Sequence, residues 1–176
     1  MNLLMNTEVY ISRRRISYMV RRLGKEISSD YTDKKPLVIG ILKGSCIFLA
    51  DLVRCLDFPM ELDFIRVSSY GNATQTSHQV TLLLAPSISL EGRHVLLIED
   101  IIDSGFSVDF VARMLKNENP ASIKICALLD KPSRRETHTE IDYVGIKVPD
   151  KFLVGYGLDY AEQFRNLPDI CVLKDT

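Results

Sequence analysis

Two hydrophobic periods take turns along this chain. Ile16, Met19, Val20, Leu23 and Ile27 recur every three or four residues after Ser12, a helix-capping residue type, so an amphipathic helix is predicted through Ser28. Its other face carries Arg13, Arg14, Arg15, Arg21 and Arg22, which read as a solvated surface. Leu37 to Leu42 is a short run rich in branched apolar residues; Lys43-Gly44-Ser45 interrupts it, and Cys46 to Cys55 then reads as a helix. Phe58 to Ser68 and Val80 to Leu84 read as strands flanking a polar loop, Ser69 to Gln79.

The strand–turn–helix unit returns at His94 to Ile98, where Glu99 to Gly105 forms the turn and Val108, Val111, Ala112 and Leu115 share one helical face. Pro120 closes that helix, Ile123 to Leu129 is a further buried strand, and Pro132 to Glu140 is a charged turn. Strands alternating with helices predict an α/β fold, a mainly parallel central sheet flanked by helices. Tyr143 to Val148 and Phe152 to Tyr156, split by Pro149-Asp150, are expected to form a small hood lobe of about 143–176, with the N-terminus as a possible contributor. No repeat or linker divides the chain, so residues 1–176 are expected to be a single domain.

Composition narrows the function classes. With 176 residues, 46% apolar and 26% charged, the chain suits one domain with a sizeable core. Twenty-two basic against 23 acidic residues give a net charge of -1, without the positive bias of a nucleic-acid binder. No apolar run approaches the roughly 20 residues of a membrane helix, and Met1 to Tyr10 has no basic region ahead of a long apolar stretch. A cytoplasmic protein is expected. Cys46, Cys55, Cys126 and Cys171 form no CxxC pair and sit among apolar neighbours, which predicts buried free thiols.

Chemistry concentrates in Val95 to Ser107, VLLIEDIIDSGFS. The amides of the turn and of the helix start, with the Ser104 and Ser107 hydroxyls, suit a phosphate monoester. Glu99, Asp100 and Asp103 suit hydroxyl groups or a hard cation that bridges to phosphate. Read alone, the three acids are also ordinary caps or solvated side chains, but the carboxyl end of a parallel strand is where open α/β sheets bind ligands. Neither GxxxxGK[ST] nor GxGxxG occurs.

A strand, two acids, two apolar residues, a third acid and a hydroxyl- and glycine-containing turn resemble the signature of the type I phosphoribosyltransferases. Further segments, from about Pro36 to Asp169, resemble their hypoxanthine-guanine branch. That resemblance implies a transfer between phosphoribosyl pyrophosphate and a 6-oxopurine base, with Mg²⁺ as cofactor, in a homodimer or homotetramer that binds neither nucleic acid nor membrane. It implies that Ser104, Gly105, Phe106 and Ser107 cradle the 5′-phosphate. Phe106 stands where relatives often carry lysine or a small residue, a departure the main-chain cradle tolerates. Lys43 and Gly44 would meet the pyrophosphate, Ser69 and Tyr70 would close over the reacting centre, and Asp103 would be the general base. Lys131 would donate to the purine 6-oxygen, Phe152 would stack on the base, and the main chain of Leu153 would read its edge. Glu99 and Asp100 would hold the ribose and one metal ion, Asp159 a second, and Arg165 the pyrophosphate. Each of these positions also has a plain reading: a polar loop for Ser69-Tyr70, core packing for Phe152, a surface ion pair for Asp159 and Arg165. The alternative function is a non-catalytic regulator of this fold that binds a nucleotide and a nucleic acid.

Overall fold

The computed structural model describes residues 7–70 and 79–174. Chain order gives β1 (Thr7–Ile11), α1 (Arg13–Tyr31), β2 (Leu37–Leu42), α2 (Cys46–Val53), β3 (Glu61–Tyr70), β4 (Gln79–Leu84), β5 (His94–Ile102), α3 (Phe106–Lys116), β6 (Ser122–Asp130), β7 (Tyr143–Lys147), β8 (Leu153–Val154) and β9 (Ile170–Leu173). Six strands form one sheet in the order β4-β3-β2-β5-β6-β7, and three form a smaller sheet in the order β1-β9-β8. Every neighbour pair of the large sheet is parallel except β3 with β4.

The alternation of side chains along the strands explains the layers. Val38, Leu96, Ile98, Cys126 and Leu128 pack on one face beneath α1 and α2, with Ile16, Leu23, Ile27, Phe48 and Leu52. Leu37, Ile39, Val95, Leu97, Ile125 and Ala127 point the other way, onto Val108, Val111 and Leu115 of α3. The central strands are buried on both faces, which is why their sequences read as unbroken apolar runs.

Several limits differ from expectation for identifiable reasons. Helix α1 starts after Ser12 as expected, with the Arg15 amide donating to Ser12 Oγ at 3.4 Å, but it runs on to Tyr31. Tyr31 is buried and its ring centroid lies 5.7 Å from that of Phe58, so tertiary packing extends the helix through Ser28, Ser29 and Asp30 despite their weak propensity. Strand β5 continues past Ile98 to Ile102, because β6 pairs with it as far as Ile102 opposite Asp130. Glu99 and Asp100 are therefore strand residues.

The hood also differs. Tyr143–Lys147, expected in the small lobe, is the edge strand of the large sheet and runs parallel to β6 from Cys126↔Tyr143 to Asp130↔Lys147. Its alternation is set by packing on the main core, where Tyr143 is buried. The small sheet is instead made by Leu153–Val154 and Ile170–Leu173 with the N-terminal strand Thr7–Ile11. All four thiols are free, yet only Cys126 and Cys171 are buried; Cys46 is exposed and Cys55 half-buried.

One carboxylate ties the start of β3 to the chain after β4. Asp63 accepts from the amides of Phe64 (2.7 Å), Ser87 (2.7 Å) and Ile88 (3.0 Å) and from the Ser87 hydroxyl (3.0 Å). Burial pushes its carboxyl up, but these donors outweigh burial and hold it below the usual range. A depressed folded-state value contributes stability above the unfolded value and loses it as the pH falls through the folded one. Asp63→Asn is expected to lower the unfolding free energy by about 1–2 kcal/mol at neutral pH. In denaturant titrations that deficit should shrink as the pH falls below the unfolded-state value and through the lower folded one, where the wild-type carboxyl also takes up a proton; a deficit independent of pH would refute the assignment.

Candidate active site

The parallel strands β2, β5 and β6 end on one side of the sheet, and the loops that follow them build the site there. At the end of β5, Asp100 is buried and Glu99 half-buried in adjoining positions. Burial raises both carboxyls, and the charge of Asp100 pushes Glu99 up further, well above the usual range. The Arg165 guanidinium pulls Asp100 back in part. Glu99 Oε2 is buried without a hydrogen-bond partner.

Space for Asp100 comes from Gly44. A Cβ at that position would stand 1.9 Å from Asp100 Oδ2, so the turn after β2 can lie against the acid only without a side chain. The Leu42–Lys43 peptide in the same turn is cis, and Ser45, buried, donates from Oγ to the Ile41 carbonyl at 2.5 Å.

Beyond Asp103 the chain turns through Ser104 and Gly105 into α3, with Gly105 in the left-handed region at φ 92°. A Cβ there would meet Thr137 Oγ1 at 2.2 Å. The Glu136 amide donates to the Ser104 carbonyl at 2.9 Å, so the charged segment after β6 packs on the turn. Ser104, Gly105 and Ser107 line a cavity of about 200 Å³ with Glu99 and Asp103. A larger groove of about 470 Å³ between α1 and α2 is lined by Arg13, Arg21 and Arg54 but by none of the motif acids. Size alone does not locate the chemistry.

Lys131 is buried and joins β6 to this turn. Its Nζ lies 3.1 Å from Asp103 Oδ2 and 3.7 Å from Asp150 Oδ1. Arg134 Nε stands 2.9 Å from Asp103 Oδ1 without hydrogen-bond alignment, which leaves that buried oxygen without a hydrogen bond. Phe152, two residues past Asp150, is 53% exposed and meets Tyr160 edge-on at 5.5 Å, so it is not core. Leu153 is buried in the small sheet.

Across the site, Arg165 donates to the Gly157 carbonyl at 2.7 Å and pairs with Asp159 at 2.8 Å. Its Nε is buried and unpartnered. Lys43 Nζ reaches Glu162 at 3.0 Å, which links the β2 turn to the 159–165 segment. Five buried side-chain polar atoms lack partners among the described residues, and three of them, on Glu99, Asp103 and Arg165, are here. Unsatisfied buried groups are costly, and their concentration marks a place built for a ligand.

The structure thus gathers Gly44, Glu99, Asp100, Asp103, the 104–107 turn, Lys131 and Arg165, with Lys43 joined through Glu162. The adjacent Glu99–Asp100 pair, with its free oxygen, fits a hard divalent cation completed by substrate oxygens and water. Asp159 stands apart, committed to Arg165 and to the Glu162 amide at 2.9 Å, and no group of three or more ligating side chains forms among the described residues. The side chains of Ser69 and Tyr70, and Gly71, lie outside the described residues. The backbone of β3 runs past Leu42, its last partner on β2 being opposite Arg66, so residues 67–70 project toward the site side.

Sequence reasoning passed over two residues. Arg135 was only part of a charged turn, yet it donates to the carbonyls of Ile102 (3.3 Å), Asp103 (3.2 Å) and Thr139 (3.4 Å) and to buried Asp130 at 2.6 Å. No spacing rule signals a side chain that ties two nearby partners to two carbonyls more than 30 residues away. Glu162 is the second, an acid in a loop already rich in charge.

A family model described as "Phosphoribosyl transferase domain" matches residues 10–161. A hypoxanthine-guanine phosphoribosyltransferase of Bacillus subtilis (strain 168) is 50% identical over 167 residues, covering 95% of this chain and 93% of that one. A hypoxanthine phosphoribosyltransferase of Haemophilus influenzae is 42% identical over 165 residues, 92% of each chain. The crystal structure of a hypoxanthine phosphoribosyltransferase from Staphylococcus aureus superposes with a TM-score of 0.93 at 40% identity, over 99% of this chain and 96% of that one.

Removing Arg135 strands a buried carboxylate. Arg135→Ala is expected to cost about 3 kcal/mol of unfolding free energy by chemical denaturation, the scale of breaking a buried ion pair. A loss under about 1 kcal/mol, within the range of an exposed pair, would show that Arg135 does not hold the turn.

Proposed function

The chain belongs to the phosphoribosyl transferase domain family, and from that premise we propose that it is an enzyme of purine salvage. It joins hypoxanthine or guanine to phosphoribosyl pyrophosphate and yields IMP or GMP and pyrophosphate. The observation that carries this reading is the placement of buried Lys131 3.1 Å from Asp103, which itself lines the cavity with Ser104, Gly105 and Ser107. A donor for a carbonyl-bearing base, an acid with one oxygen that accepts no hydrogen bond and an anion cradle share one strand end.

The division of labour follows from the side chains. Amides at the start of α3 and the Ser104 and Ser107 hydroxyls hold the 5′-phosphate, where the helix dipole favours an anion. Glu99 and Asp100 bind the ribose hydroxyls, which satisfies the orphaned Glu99 oxygen and places negative charge near the anomeric carbon as it becomes electron-poor. Glu99 and Asp100 would hold one Mg²⁺ and Asp159 a second on the pyrophosphate side, where the ions would supply charge neutralisation. Lys43, the Gly44 turn and Arg165 receive the pyrophosphate.

Lys131 can only donate, so it accepts a purine whose position 6 carries an oxygen and offers nothing to an amino group. Phe152 stacks on the ring from its exposed position, and the main chain beside Leu153 reads the edge. As N9 attacks the anomeric carbon, the bond from that carbon to the pyrophosphate oxygen breaks, and Asp103 Oδ1 takes the proton from N7. Ser69 and Tyr70 close over the reacting carbon and keep water out. The same reading makes the protein a cytoplasmic homodimer or homotetramer, for which exposed Tyr18 and Ile47 provide apolar surface. No helix among the described residues is long and apolar enough to cross a membrane.

The test is pyrophosphate release from phosphoribosyl pyrophosphate and Mg²⁺ with hypoxanthine, guanine, xanthine or adenine offered separately, beside a chelated control. Turnover is expected with hypoxanthine or guanine, not with adenine, and not after chelation. Asp103→Asn should lower kcat about 10²-fold or more while phosphoribosyl pyrophosphate still binds. No turnover with any base, together with a gel shift of nucleic acid, would favour a regulator instead.

A further inference from the structure

We propose that Glu162 occupies the pyrophosphate subsite of the free protein as a built-in anion, which the diphosphate must displace in order to bind. The inference rests on the function proposed above and adds a residue that governs how tightly the leaving group is held.

One oxygen of Glu162, Oε2, lies 3.0 Å from Lys43 Nζ and 3.4 Å from Arg165 Nη2. Those are the two cationic side chains on the pyrophosphate side, and they come from segments about 120 positions apart in the chain. A carboxylate is the nearest thing an unmodified chain has to a phosphoryl group: planar, anionic and accepting through two oxygens. Lys43 and then Arg165 hold the Glu162 carboxyl below its usual range, as expected of an anion seated between cations.

The backbone is bent to bring it there. Ala161, Glu162 and Phe164 all have left-handed φ values, of 50°, 63° and 73°, and none is glycine. Side chains disfavour that region at each of these positions. The bend is fixed by the Glu162 amide, which donates to Asp159 Oδ2 at 2.9 Å, and by reciprocal bonds between the main chains of Tyr160 and Gln163. An exposed ion pair of the Glu162–Lys43 kind contributes little to stability, so the pair by itself does not account for three strained residues in a four-residue loop. A role in exchange with a ligand does.

The subsite is otherwise prepared for a larger anion. Arg165 Nε is buried and unpartnered, and Glu162 does not reach it. A diphosphate has enough oxygens to meet Lys43, both faces of Arg165 and the Gly44 turn together, whereas one carboxylate meets only two. Glu162 therefore yields to the diphosphate while its charge, left nearby, weakens the product complex and favours release.

The proposal fixes the sign of a mutational effect. A residue that merely supports Lys43 and Arg165 weakens diphosphate binding when it is removed, whereas a competing anion strengthens it. Titration calorimetry of the full chain with Mg²⁺ and pyrophosphate, and with Mg²⁺ and phosphoribosyl pyrophosphate, separates the two for wild type and Glu162→Gln. Affinity in the variant is expected to rise roughly two- to fivefold at low salt, the range of an exposed ion pair, and the gain should shrink at high ionic strength. KM for the purine should stay unchanged, and inhibition by pyrophosphate should strengthen. Glu162→Asn, whose side chain tolerates left-handed backbone, should behave alike and guards against a folding defect in the glutamine variant.

Equal or weaker diphosphate binding in both variants overturns the role of Glu162 while leaving the function intact, provided wild type turns over hypoxanthine or guanine. Wild type that neither binds pyrophosphate nor turns over a base overturns both.

Discussion

Two adjacent carboxyl groups at the buried end of a parallel strand are the constraint on which the rest of the site depends. Glu99 and Asp100 are carried there by β5, which is flanked by β2 and β6 and covered on both faces. Burial and mutual repulsion oppose ionisation of the pair, so the charged form needs compensation from outside the strand. The surroundings answer that need in part. Gly44 has no side chain and lets the β2 turn lie against Asp100, and Arg165 brings positive charge from the far side. Glu99 Oε2 keeps an unfilled acceptor. What remains is a deficit that, on the proposed function, ribose hydroxyls and a divalent cation would fill, since a fully satisfied pair would have no use for a substrate.

The same logic extends along the strand end. Asp103 has one oxygen on buried Lys131 and the other beside Arg134 Nε without a hydrogen bond, so the acid is positioned by two cations and keeps an unused acceptor. Lys131 is positioned in turn, because β6 pairs with β5 up to Ile102 opposite Asp130 and the Lys131 amide donates to the Ile102 carbonyl at 3.0 Å. Arg135 then binds the carbonyls of Ile102 and Asp103 from the other side. Rigid sheet pairing thus sets the distance between Lys131 and Asp103, which a pair of flexible loops would not hold.

How much of this was legible in the sequence depends on the range of the interaction involved. The strand–turn–helix units around Lys43-Gly44-Ser45 and Asp103 to Ser107 were readable because their signals are local: an apolar run, an interrupting turn, a helical period. The limits of β5 and α1 were not, since one depends on pairing with β6 and the other on Tyr31 meeting Phe58. Tyr143–Lys147 was assigned to the wrong sheet for a related reason. A short alternating strand carries no information about which edge it joins, and the main core claimed it through Tyr143. In the site, residues inside the β5 motif were recoverable from spacing, Lys131, Phe152, Asp159 and Arg165 only through resemblance, and Arg135 and Glu162 by neither route.

What those last two share shows how the free protein keeps a charged site in order. Near its acids stand Lys43, Lys131, Arg134, Arg135 and Arg165, and each has a carboxylate partner already: Glu162, Asp103, Asp130 or Asp159. Left unpaired, those cations would repel one another and move apart. Paired, they hold positions from which a phosphate-bearing substrate can take them over by exchange. The buried partner, Asp130 on Arg135, makes a fixed link, whereas the most exposed of the four, Glu162 at 65% side-chain exposure, makes a replaceable link because water screens it and lowers the cost of letting go. Burial therefore grades the ion pairs, from the Arg135–Asp130 link that fixes the turn to the Lys43–Glu162 link that is proposed to exchange.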